Sequence, residues 1–452
     1  MANVLDYLDW YGDVPLDAVP FNEVDNAALA QLSYCAFEGV VPTVAQGGSI
    51  SMGEAAQRFL EVNGKEEIYG AAGVVSPLSA LLPQKLAAGK RFGGARLSRF
   101  HSRFDVEESE QLCAFHVELP DGSTYVTFRG TDDTLVGWRE DFEMTYSQIP
   151  SQTDAATYVN ATCKDIDGPL MLGGHSKGGN LAVFAGATCD ACVREKIVAI
   201  WNNDGPGFDP EILPDERLDP VRGLVRTYVP EFDVVGQLLS VGEPTCVVAS
   251  DERGVMQHSL MSWQVLGQAF VEAPGILPEA QAVNRAFDAW LGSADREKRR
   301  HVFGTFFDAL QAAGVKGLSD LMSGDPAIVT GVTAQIAGAE PEVRDYIMDL
   351  LGILASDYMQ TRVSQAAQVT TETMHQLLDG GATLGGGPVF DETGPLDPAE
   401  MRRYQRYIGR KRTLSNLRRW LGLDRPAVRA VLGAAAGATT AALAWKALKK
   451  RV

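Results

Sequence analysis

One serine lies between two glycines in a pattern that can do nucleophilic chemistry. The run Gly174-His175-Ser176-Lys177-Gly178 matches G-x-S-x-G, with an apolar, strand-like segment before it and a helix-like segment after it. Strand, sharp turn and helix together are typical of a nucleophile elbow, in which the serine projects above a sheet. The pattern predicts Ser176 as a nucleophile and Gly174 and Gly178 as the residues that let strand and helix pack closely. An incidental serine in a glycine-rich turn is the alternative.

A serine nucleophile needs a base that accepts its proton. Three histidines follow Ser176 in the chain: His258, His301 and His375. His258 comes just after the last predicted strand, where a loop could present it at the carboxyl edge of a sheet. His301 ends a charged helical stretch, and His375 lies in the middle of a late helix. We therefore predict His258 as the base, with a core or helix-capping role for it as the alternative.

The acid that orients the imidazole should come between the serine and the histidine in the chain. Asp233 follows the predicted strand 224–229, and Asp204 follows the predicted strand 197–202. Asp204 precedes Gly-Pro-Gly, a context in which an aspartate commonly forms a turn through its own side chain. We therefore predict Asp233 as the acid and keep Asp204 as the alternative.

Acyl transfer also needs N–H donors aimed at the oxyanion. The backbone N–H of Lys177, directly after the nucleophile, can supply one. A second should come from a loop after an earlier strand, and the strand-like run 125–129 ends in Arg129-Gly130-Thr131. We predict Thr131 as this second donor, because Gly130 allows a close approach of the backbone. An ordinary turn at the end of a strand is the alternative.

Alternating strands and helices must position these residues. Strand-like runs are predicted at 99–105, 111–119, 123–129, 169–174, 197–202, 224–229 and 245–249, and helix-like runs at 21–34, 76–88, 151–166 and 177–188. Asp121-Gly122 predicts a hairpin between the second and third strands. The later strands are mostly continuous apolar runs separated by loop or helix-length segments. This pattern predicts an α/β fold with a largely parallel sheet flanked by helices.

Four segments of the sequence together resemble the class 3 (fungal-type) lipases, which are α/β-hydrolases. The segments are Phe128-Arg-Gly-Thr-Asp-Asp-Thr-Leu-Val-Gly-Trp138, the Ser176 elbow, Phe232-Asp-Val-Val235 and His258. The opening Phe21-Asn-Glu-Val-Asp-Asn26 and the run Gly-His-Ser-Lys-Gly-Gly-Asn are closer still to a bacterial lipase-like family thought to be cytoplasmic. The resemblance covers roughly residues 1–265. It implies a Ser176 nucleophile, an Asp233 acid, a His258 base, and Thr131 and Lys177 as oxyanion donors.

The chain departs from secreted lipases in three ways. Its first residues have no basic region followed by an apolar core, the pattern of a secretory signal. A lysine follows the nucleophilic serine, and a long helical part follows the region of resemblance. These departures put triacylglycerol as the substrate in doubt more than they affect the triad.

Composition divides the chain into an acidic body and a basic tail. The 452 residues carry a formal charge of −18, whereas residues 396–452 hold 14 Lys and Arg against 3 Asp and Glu. We predict an α/β-hydrolase domain over 1–270, a helical extension over 271–379, a Gly/Pro-rich linker over 380–398 and a basic, Ala-rich helical tail over 399–452. Six sparse cysteines favour reduced thiols, and we interpret Cys189 and Cys192 as a helix end before a redox or metal pair.

These features give a set of functional expectations. The first is a cytoplasmic serine hydrolase of small-molecule or lipid carboxylic esters, acting through an acyl-enzyme without metal or cofactor. A catalytically silent binding module on the same fold and an acyltransferase with the same triad are the alternatives. The basic tail allows peripheral contact with anionic lipid, and its alternative is a helix packed on the acidic body or on a partner. The acidic body argues against nucleic-acid binding.

Overall fold

A single eight-stranded sheet, with its strands in sequential order, is the central element of this computed structural model. The structure describes residues 1–70, 76–132, 134–239, 246–317, 320, 326–349, 390–391 and 394–420. Neighbouring strands are antiparallel from β1 to β4 and parallel from β4 to β8. The strands are β1 Ser49–Ser51, β2 Arg96–Asp105, β3 Glu110–Glu118, β4 Thr124–Phe128, β5 Leu170–His175, β6 Ile197–Asn203, β7 Val225–Pro230 and β8 Cys246–Val248. The predicted α/β fold with a largely parallel sheet is confirmed.

Helices cover both faces of the sheet, and a short antiparallel pair, β9 Val265–Leu266 and β10 Ala269–Phe270, lies outside it. The helices are α1 Val4–Tyr11, α2 Glu23–Leu32, α3 Met52–Asn63, α4 Lys65–Gly70, α5 Leu82–Ala88, α6 Lys90–Gly93, α7 Leu135–Glu143, α8 Pro150–Cys163, α9 Lys177–Thr188, α10 Ala191–Arg194, α11 Asp215–Arg222, α12 Pro278–Gly292 and α13 Arg296–Ala312. Three 3-10 turns, Pro77–Leu81, Gly254–His258 and Leu260–Ser262, connect them. Later helices include Pro326–Ala337, a helical segment over 341–349 and Pro398–Trp420.

The strands divide their side chains between two apolar cores. Tyr125 of β4 and Met171 of β5 face the core under the N-terminal helices, whereas Val126 and Leu172 face the core under α8 and α9. This alternation is the period of two that a pleated strand imposes. The central strands are therefore buried on both sides, as their continuous apolar runs predict.

Local sequence signals fix several element boundaries. Asn22 caps α2 by accepting from the amides of Val24 and Asp25, and the Asp25 side chain accepts from the Asn22 amide in return. This capping box satisfies amides that the first helical turn leaves without partners. The predicted Asp121-Gly122 hairpin joins β3 and β4, with Gly122 at φ +86°.

A third apolar core forms among the helices that follow the sheet. Phe303 and Phe307 of α13 pack against Phe142 of α7 and Trp290 of α12. This packing agrees with the predicted helical character after residue 278. The division at 270 and 271 stays a prediction. Most of the proposed 380–398 linker, His375 and the Ala-rich segment 430–445 lie outside the described residues.

Parallel strands bring separate parts of the sequence to one edge of the sheet. The carboxyl ends of β4, β5, β6 and β7 carry the segments that begin at 129, 176, 204 and 231, and the loop after β8 carries His258. Sites in open parallel sheets form at this edge, because loops from several strands meet there. The five predicted site regions are therefore placed close together.

Candidate active site

Ser176 occupies a strained turn between β5 and α9. Its backbone has φ 57° and ψ −131°, a positive-φ conformation that is costly for a residue with a side chain. Its amide donates to the carbonyl of Asn203 at 2.9 Å, which fixes the turn against the end of β6. The strand, the strained serine and the helix form the geometry of a nucleophile elbow.

The flanking glycines are needed because backbones meet there. A Cβ atom on Gly174 would lie 2.4 Å from the carbonyl carbon of Gly178, and one on Gly178 would lie 2.2 Å from the carbonyl oxygen of Phe128. Both distances are far below van der Waals contact. The structure therefore places both predicted glycines at close backbone crossings around the serine.

His258 is oriented by Asp204, and the prediction that Asp233 does so is wrong in this structure. The Nδ1 atom of His258 lies 2.6 Å from Oδ2 of Asp204. Asp233 instead accepts from the Gly236 amide at 2.8 Å and from Nε2 of Gln237 at 3.0 Å. The alternative acid from the sequence thus takes the position beside the imidazole.

Backbone conformation explains why Asp204, and not Asp233, lies beside His258. Asp204 follows β6 directly, at φ 54°, and its amide donates to the carbonyl of Tyr228 at 2.8 Å. This conformation holds the Asp204 side chain toward His258. Asp233 comes three residues after the end of β7 and accepts from the Gly236 amide three residues later. The turn-forming role that the sequence suggests for Asp204 belongs to Asp233.

His175 holds the main chain of His258 in place. Its Nε2 lies 2.7 Å from the carbonyl oxygen of His258, and its Nδ1 lies 2.8 Å from the hydroxyl of Tyr34. Because a carbonyl only accepts, Nε2 carries the proton and Nδ1 accepts from Tyr34. Burial lowers the pKa of His175 well below its ordinary value, which agrees with this neutral tautomer. The two imidazole centroids are 4.5 Å apart.

Burial dominates the electrostatics of the candidate base and acid. It lowers the pKa of His258 to about 4, and the neighbouring carboxyl groups of Asp233 and Asp141 oppose this shift. It also raises the pKa of Asp204 to about 7, and contact with Asp233 and the hydrogen bond from the Gly236 amide oppose this shift. Burial therefore keeps the imidazole neutral, the form that can accept a proton.

The hydroxyl of Ser176 makes no hydrogen bond with any other described residue. Its side chain is largely buried, with the residue 9% exposed. With Nδ1 of His258 occupied by Asp204, the Nε2 atom of that ring is the nitrogen left to accept a proton from the serine. Catalytic hydrogen bonds are often long without substrate and tighten on binding.

The loop after β4 approaches Ser176 closely. A Cβ atom on Gly130 would lie 3.2 Å from Cβ of Ser176 and 2.4 Å from the carbonyl oxygen of His175. The hydroxyl of Thr131 lies 2.7 and 2.6 Å from the two carboxyl oxygens of Asp141. This contact uses the hydroxyl proton, so the backbone N–H is the group that Thr131 can offer to an oxyanion.

The lysine after the nucleophile is buried beneath the elbow. Its Nζ lies 2.5 Å from Oε2 of Glu140 and donates to the carbonyl of Gln111 at 3.0 Å. The side chains of Lys177 and Glu140 are both fully buried. Lys177 therefore presents only its backbone to the site, where the amides of the first helical turn have no intrahelical acceptor.

Sequence reasoning missed four residues that support this arrangement: Tyr34, Glu140, Asp141 and His175. His175 is one of the two variable positions of the G-x-S-x-G motif, and Tyr34 comes from a helix end far from the motif. Glu140 and Asp141 lie about ten residues after the predicted oxyanion loop, in an otherwise ordinary amphipathic helix. Of these four residues, only Glu140 and Asp141 could have been recognised from the sequence, as an acidic pair in the half-buried helix α7.

The predictions for metals and cysteines can be compared with the described part of the chain. Within it, no group of three or more His, Cys, Asp or Glu residues is placed to hold a metal ion. Cys189 is buried and Cys192 exposed, and both are free thiols. The positions agree with the interpretation of this pair as a helix end.

The sheet order, the elbow and the site at the carboxyl edge define the fold as that of an α/β-hydrolase of lipase-like type. Residues 86–308 match the family model described as Mbeg1-like. The matched range runs from before β2 into α13 and includes every candidate residue of the triad. No curated protein matches the chain. Among solved structures it is similar to the crystal structure of M37 lipase, with 13% identity, a TM-score of 0.30, and coverage of 48% of this chain and 70% of that one.

Proposed function

We propose that the chain is a serine hydrolase of carboxylic esters, with Ser176 as nucleophile, His258 as base and Asp204 as orienting acid. The observation that carries the proposal is the 2.6 Å contact between Nδ1 of His258 and Asp204, at the sheet edge where the strained Ser176 ends β5. A neutral imidazole bound through Nδ1 to a carboxylate keeps its Nε2 free to accept a proton. The match to the Mbeg1-like model and the lipase-like fold support hydrolase chemistry.

The proposed reaction has two halves. His258 Nε2 takes the Ser176 proton while Oγ attacks the ester carbonyl, and the N–H groups of Lys177 and Thr131 bind the resulting oxyanion. The imidazolium then gives its proton to the leaving alcohol, which leaves an acyl-enzyme. Water, activated by His258, attacks the acyl group, and the proton returns to Ser176 as the acid departs. Asp204 stays ionised and stabilises the imidazolium in both halves.

A catalytically silent module is the alternative, and one observation favours it. The Ser176 hydroxyl has no hydrogen bond to His258 or to another described residue. In that alternative the buried groups around Ser176 serve to bind a ligand, and the strained turn is structural. An acyltransferase would use the same first half-reaction and differ only in the acceptor of the acyl group.

Labelling with a fluorophosphonate probe separates these functions. We expect the wild type to react and Ser176→Ala to remain unlabelled, with Asp204→Asn labelled far more slowly. Equal labelling of wild type and Ser176→Ala would exclude Ser176 as the nucleophile. No labelling of the folded wild type, together with no turnover of esters, would favour the silent module.

An ester panel of increasing acyl chain length defines the substrate class. Turnover that depends on Ser176 should appear with at least one chain length. Addition of alcohols or amines to the same assay then distinguishes hydrolysis from acyl transfer, because a transferase would form the new ester or amide in place of the free acid.

A further inference from the structure

Two carboxyl groups are buried side by side behind His258. Asp204 is 1% exposed and Asp233 is fully buried. The amide of Gly236 donates to Oδ1 of both residues, at 3.1 Å to Asp204 and 2.8 Å to Asp233. One N–H thus lies against an oxygen of each carboxyl group, so the two groups are direct neighbours in a buried site. A hydrogen bond between two carboxyl groups requires a proton on one of them.

The surroundings of the pair can stabilise one negative charge but not two. His258 contacts Asp204 through Nδ1, and Gln237 donates to Asp233. Among the described residues, no Lys or Arg side chain contacts either carboxyl group. On the far side of His258 lie His175, which burial keeps neutral, and the acidic Asp141. Two carboxylates this close in a buried site cannot both ionise.

We propose that Asp233 is a positioning residue that keeps its proton and donates it in a hydrogen bond to Asp204, so that Asp204 alone carries the negative charge facing His258. The hydrogen-bond donors around each carboxyl group determine which of the two carries the negative charge. Asp204 has the polarised N–H of His258, whereas Asp233 has only a neutral amide side chain and a shared backbone N–H. The proton of Asp233 does not move during the reaction.

The direction of the pKa shifts agrees with this assignment. Burial raises the pKa of both groups, that of Asp233 well above its ordinary value and that of Asp204 to about 7. The neighbouring Asp204 raises the pKa of Asp233 further, whereas Asp233 offsets part of the rise at Asp204. The inference rests on the proposed function for its catalytic meaning, but the protonation of Asp233 is a property of the folded protein itself.

Three variants test the proposal in the full chain. Asp233→Asn replaces the neutral acid by a neutral amide that can still donate to Asp204. The Gly236 amide also continues to donate to Asp204 in this variant. We expect its kcat/KM to stay within about threefold of the wild type. Asp233→Leu keeps the branched shape of the side chain but removes the donor, and it should lose on the order of 10- to 100-fold. Asp204→Asn should lose on the order of 10⁴-fold, because the amide favours the wrong imidazole tautomer.

The pH profile distinguishes a neutral Asp233 from an ionised one. If Asp233 is neutral, the acid limb of kcat/KM in Asp233→Asn should coincide with that of the wild type. If Asp233 is ionised, its removal takes away a negative charge that favours the imidazolium. The acid limb would then move to lower pH by about one unit or more, and the proposal would be overturned.

Two measurements do not depend on ester turnover. Titration of ¹³C-labelled histidine by NMR, with the His258 signal assigned through His258→Gln, should give the same His258 pKa in wild type and Asp233→Asn. If the wild type hydrolyses no ester, the proposed function fails, but the comparison of His258 pKa values still tests whether Asp233 is protonated. If Asp233→Asn does not fold, infrared spectra of ¹³C-aspartate-labelled wild type at pH 8 decide. They should contain the carbonyl stretch of a protonated carboxylic acid, and its absence would overturn the proposal.

Discussion

Gly130, in the predicted oxyanion loop, has no room for a side chain. Besides its approach to Ser176, a Cβ atom here would lie 2.3 Å from the Tyr34 hydroxyl and 2.4 Å from the His175 carbonyl oxygen. The tyrosine can move, but the carbonyl belongs to the backbone of the elbow. A side chain at this position must therefore push the predicted oxyanion loop away from the serine.

We expect Gly130→Ala to lower turnover by about 10²-fold or more, the effect of losing one oxyanion donor. Overpacking should also cost about 1–3 kcal/mol in the free energy of unfolding. Ester turnover at matched folded fraction and urea unfolding measure the two effects. Gly223→Ala is the control, because Gly223 ends α11 in a right-handed conformation with no heavy atom within 4 Å of the added Cβ. Wild-type turnover in Gly130→Ala would show that this loop does not serve Ser176.

The site residues show how far sequence alone could go. Ser176 and His258 are predicted from a motif in a strand-to-helix context and from a position after the last strand. The choice between Asp204 and Asp233 could not be made, because both follow parallel strands and reach the same sheet edge. The positive φ of Asp204 and the hydrogen bond that Asp233 accepts from the Gly236 amide decide which residue contacts His258. Neither feature can be predicted from the residue types.

At the scale of elements, a buried ion pair joins the elbow to the helix that follows the oxyanion loop. Glu140 of α7 receives Lys177 from the start of α9, and it also accepts from the amides of Gln111 and Ser151 at 3.1 and 3.3 Å. One carboxylate thus connects β3, α7, α8 and α9. This contact fixes the position of the elbow relative to the predicted oxyanion loop.

We expect Lys177→Met to cost about 3–5 kcal/mol in the free energy of unfolding, because it leaves the Glu140 charge buried without its cation. Glu140→Gln in the same chain should recover part of that loss, since no charge then remains. Urea unfolding of both single variants and the double variant measures the coupling. Lys164→Met, which breaks the exposed pair with Asp190, is the control and should change stability little. Additive losses in the cycle would contradict the role assigned to the pair.

Elements were predictable where their signal is local. Helix α9 begins and ends at the predicted residues 177 and 188. Strand β6 ends one residue later than predicted, and β7 begins and ends one residue later than predicted. The contacts between elements were not predictable in this way. In the sequence, the Lys177 side chain is only a departure from the secreted lipases. Its burial depends on a glutamate 37 residues earlier in the chain.

At the scale of the whole molecule, charge separates the acidic body from the basic C-terminal helix. The helix Pro398–Trp420 packs on α4, where Tyr404 donates to Glu66 at 2.9 Å and Tyr69 donates to Glu400 at 3.2 Å. Met401 is fully buried in this contact. The exposed part of the same helix carries Arg402, Arg403, Arg406 and Lys411. Within the described residues, no helix combines the length and hydropathy needed to cross a membrane.

We propose that these exposed cations bring the protein to anionic lipid surfaces. Each Lys or Arg near such a surface contributes about 1 kcal/mol, while the acidic body is repelled, so binding should occur through this face and weaken with salt. Replacement of all four cations by Gln should lower partitioning onto phosphatidylserine vesicles by up to about 10³-fold in a sedimentation assay. The matched control replaces four exposed cations of the body, Arg58, Lys90, Arg217 and Arg285, and should bind at least as well as the wild type. Equal binding by the two variants, or none by the wild type at low salt, would leave the helix as a packing element of the acidic body.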